Sequence, residues 1–268
     1  LLHPGRRLVG RLVAVEIGFP PVEEDTFKAS LITPGWVSRR LPERDPDTHK
    51  NAVGALLLVA GRSGMAGAAI LAARAALRAG VGFLRVASPP DNRAILQGAI
   101  PEAVYVDSAD PGALEEALSA SRAVGMGPGM GTDQEGRRVL EAVLQGSEGM
   151  PTLLDADALN LLAGDGILPL SAIGESRDVV ITPHPGEMAR LTRSEVKEIT
   201  SDRPGIAGST SRETGCTVLL KGMPSLVATP AGRLYVATVG SSDLAAAGMG
   251  DVLSGTIAAF LAQGSLPY

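Results

Sequence analysis

Hydrophobic positions fall into short apolar runs separated by longer amphipathic stretches, and from Leu56 onward the two alternate. Leu56 to Ala60 reads as a buried strand. Ala66 to Ala79 follows, with Ile70, Leu71, Ala75 and Leu77 at helical spacing and Gly80 as a stop, and Phe83 to Ala87 reads as the next strand. Further strands are predicted at Ala123 to Met126, Thr152 to Leu154, Val179 to Thr182 and Thr217 to Leu220. A helix from about Gln134 to Leu144 and a polar helical region beginning near Glu187 lie between them. Pro230-Ala231-Gly232 turns between Leu226-Val227-Ala228 and Leu234-Tyr235-Val236, which predicts a small hairpin at the edge of the sheet. A final helix runs from Asp251 to about Gln263. Repeated strand and helix units of this kind predict an α/β fold with a mostly parallel central sheet flanked by helices.

Residues 1 to 18 are of another kind. Leu12-Val13-Ala14-Val15 reads as a strand, and Gly18-Phe19-Pro20-Pro21 opens a proline-punctuated stretch to Pro46 that reads as a linker. No internal repeat and no low-complexity tract is visible.

Composition narrows the function classes. The 268 residues are 45% hydrophobic and 20% charged, enough for one large domain with a proper core. Aromatic residues make up only 3%, so that core is built from Ala, Val, Leu and Ile. A net charge of -5 lacks the basic footprint that phosphate backbones demand, which argues against nucleic acid as a partner. The single cysteine, Cys216, precedes the apolar run Thr217-Val218-Leu219-Leu220 and reads as a buried thiol in a reducing, cytoplasmic compartment. Arg74, Arg78 and Arg85 interrupt the most hydrophobic region, so no run reaches the ~18 residues of a membrane helix. The chain begins without Met and without a signal-peptide pattern, and reads as a piece of something longer.

The strongest chemical signal is Gly240-Ser241-Ser242-Asp243-Leu244-Ala245-Ala246-Ala247-Gly248-Met249-Gly250-Asp251, which runs into the apolar helix Val252-Leu253-Ser254-Gly255-Thr256-Ile257. Glycines at Gly248 and Gly250 let a ligand approach the backbone, and the amides of a first helical turn form a site for phosphate oxygens. A carboxylate beside an anion site is electrostatically odd unless it takes a proton from an attacking hydroxyl, so Asp251 reads as the general base of a phosphoryl transfer. The bland reading is that Asp251 caps its helix, which would not require the two glycines.

Other candidates also follow strands, at the edge where ligands collect in open α/β sheets. Gly127-Pro128-Gly129-Met130-Gly131 is either a phosphate-approaching loop or a rigid turn. In Thr182-Pro183-His184-Pro185-Gly186-Glu187 two prolines hold His184, for binding or as a structural histidine, with Glu187 as a first-turn acid. Asp155-Ala156-Asp157-Ala158-Leu159-Asn160 places two carboxylates where they could meet a metal or a hydroxylated ligand, or merely cap a helix. Lys221-Gly222 could reach a nucleotide, although a lone Lys there is more often solvated.

In this order the motifs resemble the ADP-dependent NAD(P)H-hydrate dehydratase family, whose fold is ribokinase-like, over roughly Thr48 to Gly264. The likeness rests on the combination of His49-Lys50, Gly80-Val81-Gly82, Pro101-Glu102, Gly127 to Gly131, Asp155 to Asn160, Thr182 to Glu187, Lys221-Gly222 and Gly248 to Asp251. The resemblance implies a hydro-lyase of metabolite repair that uses ADP or ATP as phosphoryl donor, with Mg2+. The nucleotide phosphorylates the ring hydroxyl of hydrated NADH or NADPH, and phosphate then leaves. It implies Asp251 as catalytic base, Lys221, Gly222, Ser225, Gly248 and Gly250 around the nucleotide, and Ala68, Gly131, His184 and Asp251 facing the hydrated dinucleotide; the metal ligands stay unknown. A homo-oligomer is implied as well.

His3-Pro4-Gly5 and Ile17-Gly18-Phe19-Pro20 resemble the end of the NAD(P)H-hydrate epimerase domain that precedes the dehydratase in bifunctional bacterial enzymes. This divides the chain into an epimerase-like tail at 1–18, a linker at 19–47 and a dehydratase domain at 48–268, with further helices expected past Tyr268. Three positions depart from the family pattern: Asn51 for glycine, Ser241 for asparagine, and Ala246 for a threonine whose hydroxyl could touch phosphate or metal. A small-molecule kinase of the same fold, acting on a vitamin precursor or sugar, is the competing enzyme reading, and an idle nucleotide-binding module the non-enzymatic one.

Overall fold

Leu56, Leu57 and Leu58 are fully buried and Val59 nearly so, because the strand they form lies deep in a sheet covered on both faces. In the computed structural model the described residues are 29–43, 47, 53–237, 239–240 and 244–265, with isolated residues 8, 10, 13, 15 and 17–20. Among them ten strands make one sheet: β1 (Ala29–Ile32), β2 (Ala55–Val59), β3 (Phe83–Ser88), β4 (Val104–Asp107), β5 (Ala123–Met126), β6 (Thr152–Leu154), β7 (Val179–Ile181), β8 (Thr217–Leu220), β9 (Ser225–Ala228) and β10 (Leu234–Ala237). Their order is β1-β10-β9-β8-β7-β6-β5-β2-β3-β4, and every pairing is parallel except β8 with β9 and β9 with β10. The strand order reverses between β2 and β5.

Eleven α-helices join the described strands: α1 (Pro34–Ser38), α2 (Ala66–Arg78), α3 (Arg93–Ala99), α4 (Pro111–Ser119), α5 (Gln134–Gly146), α6 (Ala156–Leu162), α7 (Leu168–Ser176), α8 (Pro185–Thr192), α9 (Val196–Ser201), α10 (Arg203–Thr214) and α11 (Met249–Ala262). The period of two along β2 sorts its side chains between two cores. Leu57 and Val59 join Val139, Leu159 and Met188 from α5, α6 and α8. Leu56 and Leu58 join Ala69, Ala72, Leu96 and Ala258 from α2, α3 and α11. Small residues let α2 and α11 approach closely: a Cβ on Gly255 would overlap the Ala72 carbonyl. No described helix is long and apolar enough to cross a membrane.

Most predicted elements appear within a residue or two of their expected bounds. The stretch from Pro89 to Arg122, for which the periodicity supplied nothing, holds α3, β4 and α4. β4 is an edge strand of four residues with Val104 46% exposed, too short and too mixed to stand out. The hairpin of β9 and β10 forms as expected, but β1 takes the outermost position beside β10. Thus part of the stretch read as linker is a strand, anchored where Trp36 packs on Tyr235 with ring centroids 5.2 Å apart. Leu12 and Ala14 of the expected N-terminal strand lie outside the described residues, and Val13 and Val15 are exposed and in no element. His3, Pro4, Gly5, Thr48, His49, Lys50, Asn51, Ser241, Ser242, Asp243, Pro267 and Tyr268 also lie outside them.

Candidate active site

Gly248 starts α11 in the left-handed region, with φ 86°, and a Cβ there would stand 2.5 Å from Leu71 Cδ1. Only glycine turns the chain at this point without strain. Among the described residues no side chain caps α11. The Met249 amide donates to Ala246 O at 3.3 Å and that of Val252 to Gly248 O at 3.0 Å, whereas those of Gly250 and Asp251 have no backbone acceptor among the described residues. Two unpaired amides at the positive end of a 14-residue helix face the carboxyl edge of the sheet.

Asp251 is the third residue of this helix, so capping does not account for it. Its side chain is half-buried and accepts no hydrogen bond among the described residues. Burial holds its carboxyl above the usual carboxylate range; Asp155 pushes the same way, Lys221 opposes, and Asp157 adds a smaller push. Such a group takes up a proton more readily than an ordinary aspartate, as a base requires.

Lys221 follows β8 and is not a solvated lysine. Its Nζ donates to Asp155 Oδ1 at 2.8 Å and lies 3.6 Å from Glu187 Oε2. Asp155 stands at the N-cap position of α6 without capping it, and Ala156 next to it takes φ 47°, costly for a residue with a side chain. Instead Asp155, 1% exposed, also accepts from Ser254 Oγ at 2.5 Å, which ties β6 to α11. A Cβ on Gly250 would lie 3.9 Å from Lys221 Nζ, so the lysine sits directly beside the helix opening.

The turn after Lys221 is built for close approach. Gly222 has φ 148°, and a Cβ there would meet the Arg203 guanidinium at 2.5 Å. That guanidinium donates to Leu220 O and Lys221 O, both at 3.3 Å, and Ser225 Oγ donates to Gly222 O at 3.0 Å. His184 caps α8: its Nδ1 accepts from the amides of Gly186 and Glu187 at 3.0 and 3.3 Å, while Glu187 accepts from the His184 amide at 2.8 Å. Accepting at Nδ1 places the proton of a neutral ring on Nε2. The histidine is therefore structural on one side, and its side chain stays 48% exposed on the other.

On the β5 side, Asp157 accepts from the Gly131 amide at 2.9 Å. A Cβ on Gly129 would stand 2.8 Å from that of Ala68. The fold therefore brings Lys221, Gly248, Gly250 and Asp251 into one cluster with Asp155, with Gly222 and Ser225 on the adjoining turn. Ala68 lies in the first turn of α2 and Gly131 on the loop after β5, and His184 joins the cluster through Glu187. The partners of Asp155 were missed from sequence. Ser254 is the one trace they left, a fully buried polar residue in a mostly apolar helix.

A family model described as NAD(P)H-hydrate dehydratase matches residues 56–268. The chain belongs to the NAD(P)H-hydrate dehydratase family. Among its relatives, the bifunctional NAD(P)H-hydrate repair enzyme Nnr of Moorella thermoacetica is 37% identical over 100% of this chain and 52% of its own length. The ADP-dependent (S)-NAD(P)H-hydrate dehydratase of Neisseria meningitidis serogroup B is 38% identical over 82% of this chain and 73% of its own. The chain spans about half the length of the bifunctional relatives. Among solved structures, a ribokinase-like superfamily protein from Enterococcus faecalis V583 superposes with a TM-score of 0.80 at 25% identity, covering 92% of this chain and 83% of that one. The ADP/ATP-dependent NAD(P)H-hydrate dehydratase of Bacillus subtilis, co-crystallized with ATP/Mg2+, gives 0.70 at 29% identity over 87% and 85%. The α/β fold is thus ribokinase-like.

Proposed function

We propose that this chain dehydrates hydrated NADH or NADPH, using ADP or ATP as phosphoryl donor. The observation that carries the reading is Asp251, a half-buried carboxylate without a described hydrogen-bond partner, set beside two bare helix amides and Lys221. The donor phosphates lie on the amides of Gly250 and Asp251, with Lys221, Gly222, Ser225 and Gly248 shaping the nucleotide side. Ala68, Gly131 and His184 face the hydrated ring. Asp251 takes the proton of the ring hydroxyl as its oxygen bonds to the terminal phosphorus, and the bond between that phosphorus and the donor breaks, leaving AMP from ADP or ADP from ATP. The phosphorylated carbon then loses inorganic phosphate and a neighbouring carbon loses a proton, which restores the ring double bond.

Among the described residues no group of three His, Cys, Asp or Glu side chains converges to hold a metal alone. That fits Mg2+ carried in on the phosphates, since it needs few protein carboxylates. Asp155 is committed to Lys221 and Ser254; Asp157, which accepts from the Gly131 amide and at 3.4 Å from Asn160, is the other carboxylate near the phosphates that would meet it. When bound, the ion neutralises phosphate charge. The same reading includes a cytoplasmic homo-oligomer with no nucleic-acid partner; light scattering of the purified protein tests the assembly.

The test is incubation with hydrated NADH plus ADP or ATP while the NADH absorbance is followed. Recovery is expected with the native chain, and Asp251→Asn should lose about 10²- to 10⁴-fold in turnover while still binding nucleotide. No recovery, or a fully active Asp251→Asn, overturns the reading.

A further inference from the structure

A cavity that shares no lining residue with the cluster is assigned to nothing so far. It lies where the strand order reverses, between the loops after β2 and β5, which lead to α2 on one face and α5 on the other. Loops that part in this way leave a crevice at the carboxyl edge of an open sheet. Here the Gly61 amide donates to Pro128 O at 2.8 Å, pinning the two loops together beneath it. The crevice holds about 340 Å³, at the lower end of the range for small-molecule sites. Val59, Met130, Val139 and two prolines, Pro89 and Pro90, make apolar walls.

Its rim is polar in a specific way. Arg138 is already tied to Glu135 at 2.7 Å, but Arg62 makes no ion pair among the described residues. Arg62 lines the crevice, and its stem packs 2.9 Å from where a Cβ on Gly131 would stand, on the loop that meets Asp157. Asp133 gives one oxygen to the Gly136 amide at 2.9 Å and keeps the other without a described partner. Apolar walls, a cation with no described ion pair and a carboxylate oxygen with no described partner match a base, a diphosphate and ribose hydroxyls. β2 is two strand spacings, about 10 Å, from β6, which carries Asp155.

We propose that this crevice holds the adenosine end of the hydrated dinucleotide, with Arg62 on its diphosphate bridge. The assignment rests on the dehydratase reading for the position of the ring. It makes the enzyme a reader of the whole dinucleotide rather than of its reacting ring.

The experiment compares hydrated NADH with the hydrate of reduced nicotinamide mononucleotide, which has the same ring but no adenosine. The native chain should show a kcat/KM about ten-fold or more higher for the dinucleotide. Arg62→Ala and Ala109→Trp, the second placing an indole at the mouth, should reduce that preference through a higher KM for the dinucleotide, leaving the KM for ADP unchanged. Independently of turnover, ADP-ribose titrated into protein saturated with ADP should bind, and Arg62→Ala should weaken it about ten-fold. Equal use of the two hydrates, or no binding of ADP-ribose, overturns the subsite. Binding of ADP-ribose that depends on Arg62, without turnover of either hydrate, would instead keep the subsite and sink the dehydratase reading.

Discussion

Lys221→Met leaves the Asp155 carboxylate, 1% exposed, with Ser254 Oγ as its one remaining described donor. Breaking a buried ion pair from one side costs about 3–5 kcal/mol, because the surviving charge stays out of water uncompensated. Asp155→Leu exposes the converse defect, a partly buried lysine facing only Glu187 at 3.6 Å, and here the loss is smaller because the Lys221 side chain is 21% exposed and can reach solvent. At about 2–4 °C per kcal/mol, Lys221→Met should lower the melting temperature by ~6–20 °C. Replacing both partners, Asp155→Leu with Lys221→Met, removes the uncompensated charge and should recover most of that loss, although the double variant stays inactive. Urea unfolding of the native chain, the two single variants and the double variant gives the coupling energy directly. Additive losses would refute the argument, since they would mean that the two groups do not neutralise one another inside the fold.

Asp251→Asn should be more stable than the native chain at neutral pH. The fold raises the Asp251 pKa, so it favours the neutral carboxyl; stability linked to that proton is complete below the unfolded value of about 3.9 and is lost as pH rises through the folded value. Melting curves from pH 4 to 8 should show the variant's advantage growing with pH and vanishing at the acid end; a constant difference would contradict the sign. Gly255→Ala drives a methyl into the Ala72 carbonyl and should cost about 1–3 kcal/mol by denaturant unfolding, with α2 and α11 forced apart. Cys216 is fully buried and its thiol is pushed up to about 11, so a thiol reagent at neutral pH should label it only as fast as the protein unfolds. Rapid labelling of the native protein would show that β8 is open to solvent.

Runs such as Leu56 to Val59 and Val179 to Ile181 announced themselves because strands buried on both faces are nearly all apolar, and the intervening helices kept a 3.6-residue rhythm. Gly248 and Gly250 before an apolar helix marked the uncapped helix opening for a similarly local reason: backbone amides and glycine geometry belong to consecutive residues. β1 and β4 carried no such mark, since edge strands are short and half-exposed and their place depends on the neighbour they pair with.

The alphabet and spacing of this chain therefore determined its layered architecture, its glycine-opened last helix and the carboxylate set on it, because each is specified by residues a few positions apart. Only the tertiary structure decided that Asp155 serves Lys221 and Ser254 instead of capping its own helix, across separations of 66 and 99 residues. It also decided that Arg62 and Asp133 both pack beside Gly131. Partnerships of buried charge depend on which strands become neighbours, and no local pattern encodes that choice.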